Sequence, residues 1–356
     1  MATTKEYGLG EFDFPRGWFM IADSEEVKDT PVSVRYFGRD FVLYRGDSGK
    51  VHLLDAYCPH MGSHLGLNST SYIVRDGAHI EGDSIRCPYH GWRFGPDGKC
   101  DDIPYYDKIP KAACVKSWPV VEQTGVIFVW HDPENGEPDF PLPAIPEWED
   151  TSWVHWKIDR LGTLNCHPQE VLDNMSDVAH FAPTHGSTAV SYFENEYNGP
   201  TMTQYFGAGH RTLAAKDELL ELRTWYTGPG ILMSRMWGHL PSIMMIAHTP
   251  VDDGVIRAWH ALMVKSPNAV ATHRDVAMAR AYQETSKLAF AQDFEIWSNK
   301  RPAFTILQVP TDGPFHKGRI WYSQFYNPRA RAADIQKRVN GIHATVRKPM
   351  GAKEAA

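Results

Sequence analysis

The chain has 356 residues and carries 36 Lys and Arg against 43 Asp and Glu, a formal charge of −7. No basic stripe marks it as a nucleic-acid binder, and no apolar run approaches the roughly 20 residues needed to span a bilayer. With 42% hydrophobic residues it can bury the cores of two domains, and its first residues, Met-Ala-Thr-Thr-Lys-Glu, lack the apolar stretch of a secretory signal.

From residue 12 to residue 130 the sequence falls into short β-branched and aromatic runs, at 32–37, 41–44, 51–54 and 126–130, broken by Gly, Pro and Asp. Runs of this kind predict strands, and Gly95-Pro-Asp-Gly98 predicts a tight turn. An all-β domain over residues 1–135 is expected. It holds two close Cys/His pairs: Cys58 and His60 in Asp-Ala-Tyr-Cys-Pro-His-Met-Gly, and Cys87 and His90 in Cys-Pro-Tyr-His-Gly-Trp. Two thiolates and two imidazoles can hold a [2Fe–2S] cluster, both Cys on one iron and both His on the other. Such mixed ligation gives potentials of about −150 to +300 mV. Zinc takes the same donor set, but a zinc site has no need of Pro beside each Cys or of the Gly-Trp that follows. His64 is read as a loop residue supporting the site, not as a ligand. Cys100, Cys114 and Cys166 are expected to be buried, unpaired thiols, which fits a reducing, cytoplasmic setting.

The stretch 131–143, His-Asp-Pro-Glu-Asn-Gly-Glu-Pro-Asp-Phe-Pro-Leu-Pro, is taken as the linker to a second domain, residues 136–356. A helix is predicted near 168–181, strands from about 200 to 265, and a long helix from about 272 to 300; the tail from Met350 is expected to fray. That order predicts an α+β domain with an antiparallel sheet packed by helices. Its first helical segment holds Asn174, Asp177, His180 and His185. Three-residue steps place the first three on neighbouring faces of a helix, so the Asp177 carboxylate is expected to orient the His180 ring. His185, five residues past His180, is out of line for a straight helix. Pro183 disfavours helix at Ala182 and is expected to let the chain turn His185 back. Two imidazoles need one carboxylate to complete the 2-His-1-carboxylate set that leaves Fe(II) positions open for O₂. In the last helix Phe290, Asp293, Phe294 and Trp297 form an apolar stripe, where a carboxylate is costly unless paired or metal-bound. Asp293 is the candidate; a buried salt bridge is the alternative that periodicity leaves open. Glu295 is expected on another face, and His239, His248 and His260 as ordinary strand residues.

Together these residues resemble the Rieske non-heme iron oxygenases. The Cys/His quartet resembles their Rieske domain, and Asn174-x-x-Asp177-x-x-His180-x4-His185 resembles their iron-binding motif. Gln292-Asp293-Phe-Glu-Ile-Trp-Ser-Asn-Lys300 is similar to the segment carrying the third ligand in the 3-ketosteroid 9α-hydroxylase oxygenase component. The likeness covers most of the chain and is weak over about 192–266. The 26 residues between His60 and Cys87 exceed the family pattern, and a longer loop or hairpin over 68–80 is expected to hold the excess.

The resemblance implies a Rieske cluster on Cys58, His60, Cys87 and His90, a mononuclear Fe(II) on His180, His185 and Asp293, and a helix-grip catalytic domain. It implies monooxygenation of a hydrophobic, steroid-like substrate with O₂. Electrons would come from a separate NAD(P)H-dependent flavin/iron-sulfur reductase, directly or through a ferredoxin. It also implies a homotrimer in which Asp177, with Asn174 in the same motif, links one subunit's iron ligands to His60 or His90 of the next. O-demethylation and desaturation use the same iron chemistry and stay open. From other classes, an electron carrier and a steroid-binding module without turnover remain.

Overall fold

The computed structural model describes residues 2–211, 219–238 and 240–348. Two compact units result: residues 19–131, and residues up to 18 together with those from 132 onward. His239 and the tail from Met350 lie outside the described residues.

In the first unit the predicted strands pair antiparallel. Val32–Tyr36, Arg39–Arg45, Val51–Asp55 and Ser117–Trp118 form one sheet, with Leu43 opposite Leu53 and Val42 opposite Leu54. Its first hairpin turns through Phe37 and Gly38 at φ 52° and 69°, the two-residue geometry that matches strand twist. Ile80–Glu81, Ser84–Arg86, Arg93–Phe94 and Cys100–Asp102 form a second sheet; Gly17–Asp23, Val126–His131 and Val120–Gln123 form a third. Val42, Leu54, Leu65, Ile85 and Phe94 pack in one core with Cys58 and Cys87, so both thiols belong to the interior.

The segment 68–80 is not a plain loop or hairpin: it holds a one-turn helix, Tyr72–Arg75, whose Ile73 N–H donates to the Ser71 hydroxyl. The Asn68 side-chain carbonyl accepts from Thr70 and Ser71 and sets the preceding turn. Four helical residues are too few to leave a periodic signal. Cys114 is exposed, not buried, because it lies on an isolated bridge to Lys99 outside the named strands.

The second unit is built on one antiparallel sheet, of nine strands among the described residues. Its order is Trp153–Val154, Val255–Lys265, Ser242–Asp252, Ile231–Trp237, Leu220–Thr227, Thr201–His210, Ser187–Asn198 and Gly341–Val346, with Asp159–Leu164 also paired to Val255–Lys265. The long helix His273–Asn299 starts at Thr272, where the Asp275 N–H donates to the Thr272 hydroxyl and the Asp275 carboxylate accepts from the Thr272 N–H. This capping box fixes the helix start, and Ala279 then packs on Leu262 and Val264 of the sheet. No helix among the described residues is long and apolar enough to cross a membrane.

The helix predicted over 168–181 is broken. Pro168–Asp173 is α-helical and Asn174–Ser176 forms one 3₁₀ turn; Asp177 is then extended, at φ −96° and ψ 105°. The short helix is wholly buried, and its charges are tethered: Glu170 accepts from Tyr7 and Lys300, and Asp173 from Arg319. The amino-terminal helix Thr4–Tyr7 joins the same cluster through Thr4 Oγ1, 3.0 Å from His167 Nε2. The Pro-rich stretch after 131 is pinned rather than free, through Asp132 to Arg329 and Asp139 to Arg16.

Candidate metal centres and cavity

In the first unit the two Cys/His loops repeat one backbone design. The Gly62 N–H donates to the Cys58 carbonyl, and the Gly91 N–H to the Cys87 carbonyl; the Cys58 and Cys87 N–H groups donate to the carbonyls of Ser63 and Trp92. Both glycines sit at positive φ, 73° and 77°, a conformation that glycine adopts without the steric cost a Cβ brings. His60 and His90 are brought to 4.6 Å between ring centroids, and His60 stacks on Trp92 at 4.5 Å.

The thiols are nearly inaccessible while His60 is exposed and His90 half-buried. Cys58 and Cys87 share a hydrogen bond that lowers the Cys87 thiol to about 6; the same bond, with burial, raises Cys58. N–H groups of Tyr89 and His90 point at the Cys87 sulfur, and those of His60 and Met61 at Cys58. Amide donors around two sulfurs, with two imidazoles beside them, fit a cluster held by two Cys and two His. His64 is not part of this set: its Nδ1 accepts from Gly66 and Leu67 N–H groups, and its Nε2 lies 3.0 Å from Ser33 Oγ.

In the second unit His180 and His185 sit on either end of a π-type turn, Phe181–His185. An α-helix turns about 100° per residue, so five residues would leave the rings about 140° apart. The wider π turn closes that gap. Pro183 lies within this turn, which brings His185 back beside His180 as expected, and its missing N–H removes one donor that the widened backbone would strand. The Gly186 N–H closes the turn on the carbonyls of Ala182 and Phe181. The rings lie 5.2 Å apart at 82°. Asp293 reaches them from the long helix, and one ligand atom each of His180, His185 and Asp293 lies within 4.8 Å of the others.

The outer partners set the tautomers. His180 Nδ1 is 2.8 Å from the Asp177 backbone carbonyl, and His185 Nδ1 is 3.1 Å from Gln292 Oε1. Each ring thus presents its Nε2 lone pair. Burial alone would lower the His185 imidazole, but Asp293, 3.2 Å away, and Gln292 outweigh it, and its pKa is raised. A cation among these groups would take the place of that proton. Two imidazoles and one carboxylate on one side of an open space fit a three-ligand iron site.

Asp177 acts differently from the expectation. Its carboxylate accepts from the Ala179 and His180 N–H groups, at 2.9 and 3.2 Å, and lies 3.7 Å from the His180 ring. The backbone carbonyl therefore orients the ring, and the half-exposed carboxylate caps the following turn. Asn174 lines the cavity. Glu295 is exposed, away from the ligands. His248 is buried against the Tyr226 hydroxyl at 2.7 Å. His260 does not line the cavity but touches a residue that does. Gln292 and His210, whose ring lies 2.7 Å from the His185 carbonyl, had no signal as supporting residues.

The three candidate ligands open on a cavity of about 370 Å³, within the range of small-molecule sites. Phe206, Leu222, Leu232, Met236, Ile246 and Phe290 give it an apolar wall. Thr224 and Ser234 add one polar pair, their hydroxyls 2.8 Å apart.

Comparison with known proteins agrees with both halves. The Rieske [2Fe-2S] domain family matches residues 17–119, and the 3-Ketosteroid 9alpha-hydroxylase C-terminal domain family matches residues 129–326. A probable 3-ketosteroid-9-alpha-monooxygenase, oxygenase component, of Rhodococcus rhodochrous is 33% identical over 340 residues, 91% of this chain and 82% of the relative. A cholesterol 7-desaturase of Ciona intestinalis is 31% identical over 342 residues, 88% of this chain and 69% of the relative. Among solved structures, Pseudomonas putida CBB5 NdmA with caffeine superposes with a TM-score of 0.69 at 16% identity, covering 95% of this chain and 97% of the other. Apo dicamba monooxygenase gives 0.63 at 17%, covering 91% and 97%. At these identities the structural likeness is one of fold.

Proposed function

The chain belongs to the Rieske-type oxygenases, in the family of the 3-ketosteroid 9α-hydroxylase oxygenase component, and from that premise we propose that it hydroxylates a hydrophobic, steroid-like substrate. O₂ is the co-substrate, and a separate NAD(P)H-dependent reductase supplies the electrons, directly or through a ferredoxin. The observation that carries the reading is the His180, His185 and Asp293 set opening on an apolar cavity. The unit of residues 19–131 is proposed to serve electron delivery, and the unit of residues up to 18 and from 132 onward the oxidation, in the cytoplasm where NAD(P)H is held.

A [2Fe–2S] cluster on Cys58, His60, Cys87 and His90 would pass single electrons, and Fe(II) on His180, His185 and Asp293 would activate O₂. The protein's own part is positional. The Asp177 carbonyl and Gln292 hold both imidazoles with Nε2 forward. The aliphatic and aromatic wall keeps bulk water from the site, and the Thr224–Ser234 pair offers a polar contact to a substrate oxygen. The exposed edge of His60 offers electrons a way in and out of the first unit. The half-exposed Asp177 carboxylate suits a bridge to His60 or His90 of a neighbouring subunit in a trimer.

Desaturation is the second reading, favoured by the likeness to the cholesterol 7-desaturase. Oxygen uptake and product mass, measured with an added reductase on steroids, bile-acid fragments and methoxyaromatics, separate the cases. A product one oxygen heavier supports hydroxylation; a product two hydrogens lighter supports desaturation. Loss of a methyl group from the aromatics alone, or no substrate-dependent oxygen uptake, would refute the steroid reading.

A further inference from the structure

Ser286 lies on the long helix seven residues before Asp293, on the same face, and lines the cavity. Seven residues place it about 10 Å along the helix axis from the metal ligand. Its hydroxyl is 3.0 Å from His260 Nε2, and His260 Nδ1 is 2.9 Å from Asp159 Oδ2. His260 and Asp159 face each other across paired strands, and the imidazole is fully buried.

The charges fix which way each hydrogen bond runs. Burial alone would raise the Asp159 pKa, but His260, Gln283 and Lys287 hold it below the usual value. Gln283 Nε2 donates to the same carboxylate oxygen at 2.8 Å, and Lys287 Nζ lies 3.5 Å from the other oxygen. With the Asp159 carboxylate as the acceptor at Nδ1, the His260 proton sits on Nδ1, and in that tautomer Nε2 is an acceptor. Ser286 has one proton to give. Met244 Sδ, at 3.5 Å, is a weak acceptor, so the proton goes to Nε2. What the cavity meets at Ser286 is a pair of oxygen lone pairs.

A Ser–His–Asp order also belongs to hydrolytic triads. Ser286 sits mid-helix, where the backbone N–H groups are bound to carbonyls one turn back. Among the described residues no oxyanion hole adjoins it, and acyl transfer has no place there for its developing charge. Hydrogen bonding to a ligand is what remains.

We propose that Ser286 is a specificity residue, a hydrogen-bond acceptor that selects substrates carrying a hydroxyl rather than a ketone at the end remote from the metal. His260 and Asp159 are positioning residues that fix its polarity. The inference rests on the reading of the cavity as the site of a hydrophobic substrate.

The test uses 5α-androstan-3β-ol and 5α-androstan-3-one, which differ only at one oxygen, titrated calorimetrically into the holoenzyme without reductase. The alcohol is expected to bind about tenfold tighter, about 1.4 kcal/mol. Ser286→Ala should bring the ratio near one, and Ser286→Thr should keep it. A wild-type preference for the ketone, or the same ratio in Ser286→Ala, overturns the proposal. If neither steroid binds, the steroid reading falls, and the polarity is read directly by ¹⁵N NMR of histidine-labelled protein. His260, assigned by its loss in His260→Gln, should be the neutral Nδ1–H tautomer, with an Nε2 resonance that moves in Ser286→Ala. An Nε2–H tautomer or an imidazolium there overturns the proposal.

Discussion

Replacing Gln292 with Leu should weaken mononuclear iron binding by about tenfold without touching the cluster. Gln292 Oε1 is the acceptor that keeps the His185 proton on Nδ1, at 3.1 Å. Removing such a partner from a ligating His costs about 10- to 100-fold in metal affinity. Gln292 is exposed, so water can accept the Nδ1 proton in its place at little cost. That argues for the low end, about 1.4 kcal/mol. The assay is retention of iron by the holoenzyme across a graded series of chelator concentrations, with the Rieske EPR signal counted separately from total iron. The chelator midpoint should fall about tenfold while the Rieske signal holds. Gln292→Glu, which keeps an acceptor, should restore most of the affinity. Coincident chelator curves for wild type and Gln292→Leu would show that this contact does not orient the ligand.

Asp293→Ala should lose mononuclear iron and turnover and keep the Rieske spectrum; near-normal turnover would send the search for a carboxylate elsewhere. Asp177→Asn keeps an oxygen to accept from the Ala179 and His180 N–H groups, so both metals should be retained while cluster reoxidation, followed by stopped flow with substrate and O₂, slows. Equal reoxidation rates would dismiss the bridge. Burial pushes His167 and His248 down to about 3. The unfolded chain then binds protons that the native chain does not between about pH 6.5 and 3, and stability falls as pH drops through that window. Between pH 7 and 5.5 the pair should cost about 2.5 kcal/mol; urea midpoints track the loss, and His248→Gln should remove about half of it. A pH-independent midpoint contradicts the argument.

The paired Cys/His segments were legible because their chemistry is local: two thiols and two imidazoles in short segments with marked neighbours. Asp293 was legible because an apolar helical stripe makes a carboxylate conspicuous. The π form of the turn that joins His180 to His185 was not, since Pro183 signals a helix end in most settings and a π turn has no composition of its own. The orienting groups were hidden for two reasons. The Asp177 carbonyl is backbone, which any residue supplies, and Gln292 meets His185 across 107 residues of chain. Gly341–Val346 completes the sheet from far along the chain, and Asp159–Leu164 carries Gly162 and charged residues that mask a strand. Both the strand and its partnership with His260 depend on tertiary pairing.

The cluster-bearing unit interrupts the sequence of its host, and its two connecting strands, Gly17–Asp23 and Val126–His131, run side by side. A module whose ends emerge together can be excised or exchanged without rerouting the surrounding chain. The redox half is therefore a cassette: a replacement of higher or lower potential could be spliced at the same seam to retune driving force while the oxidising half keeps its register. Trimming the amino terminus is a different operation. It removes Tyr7 from Glu170 and Thr4 from His167, so a deletion that looks like an edit to the electron-delivery half would injure the other one.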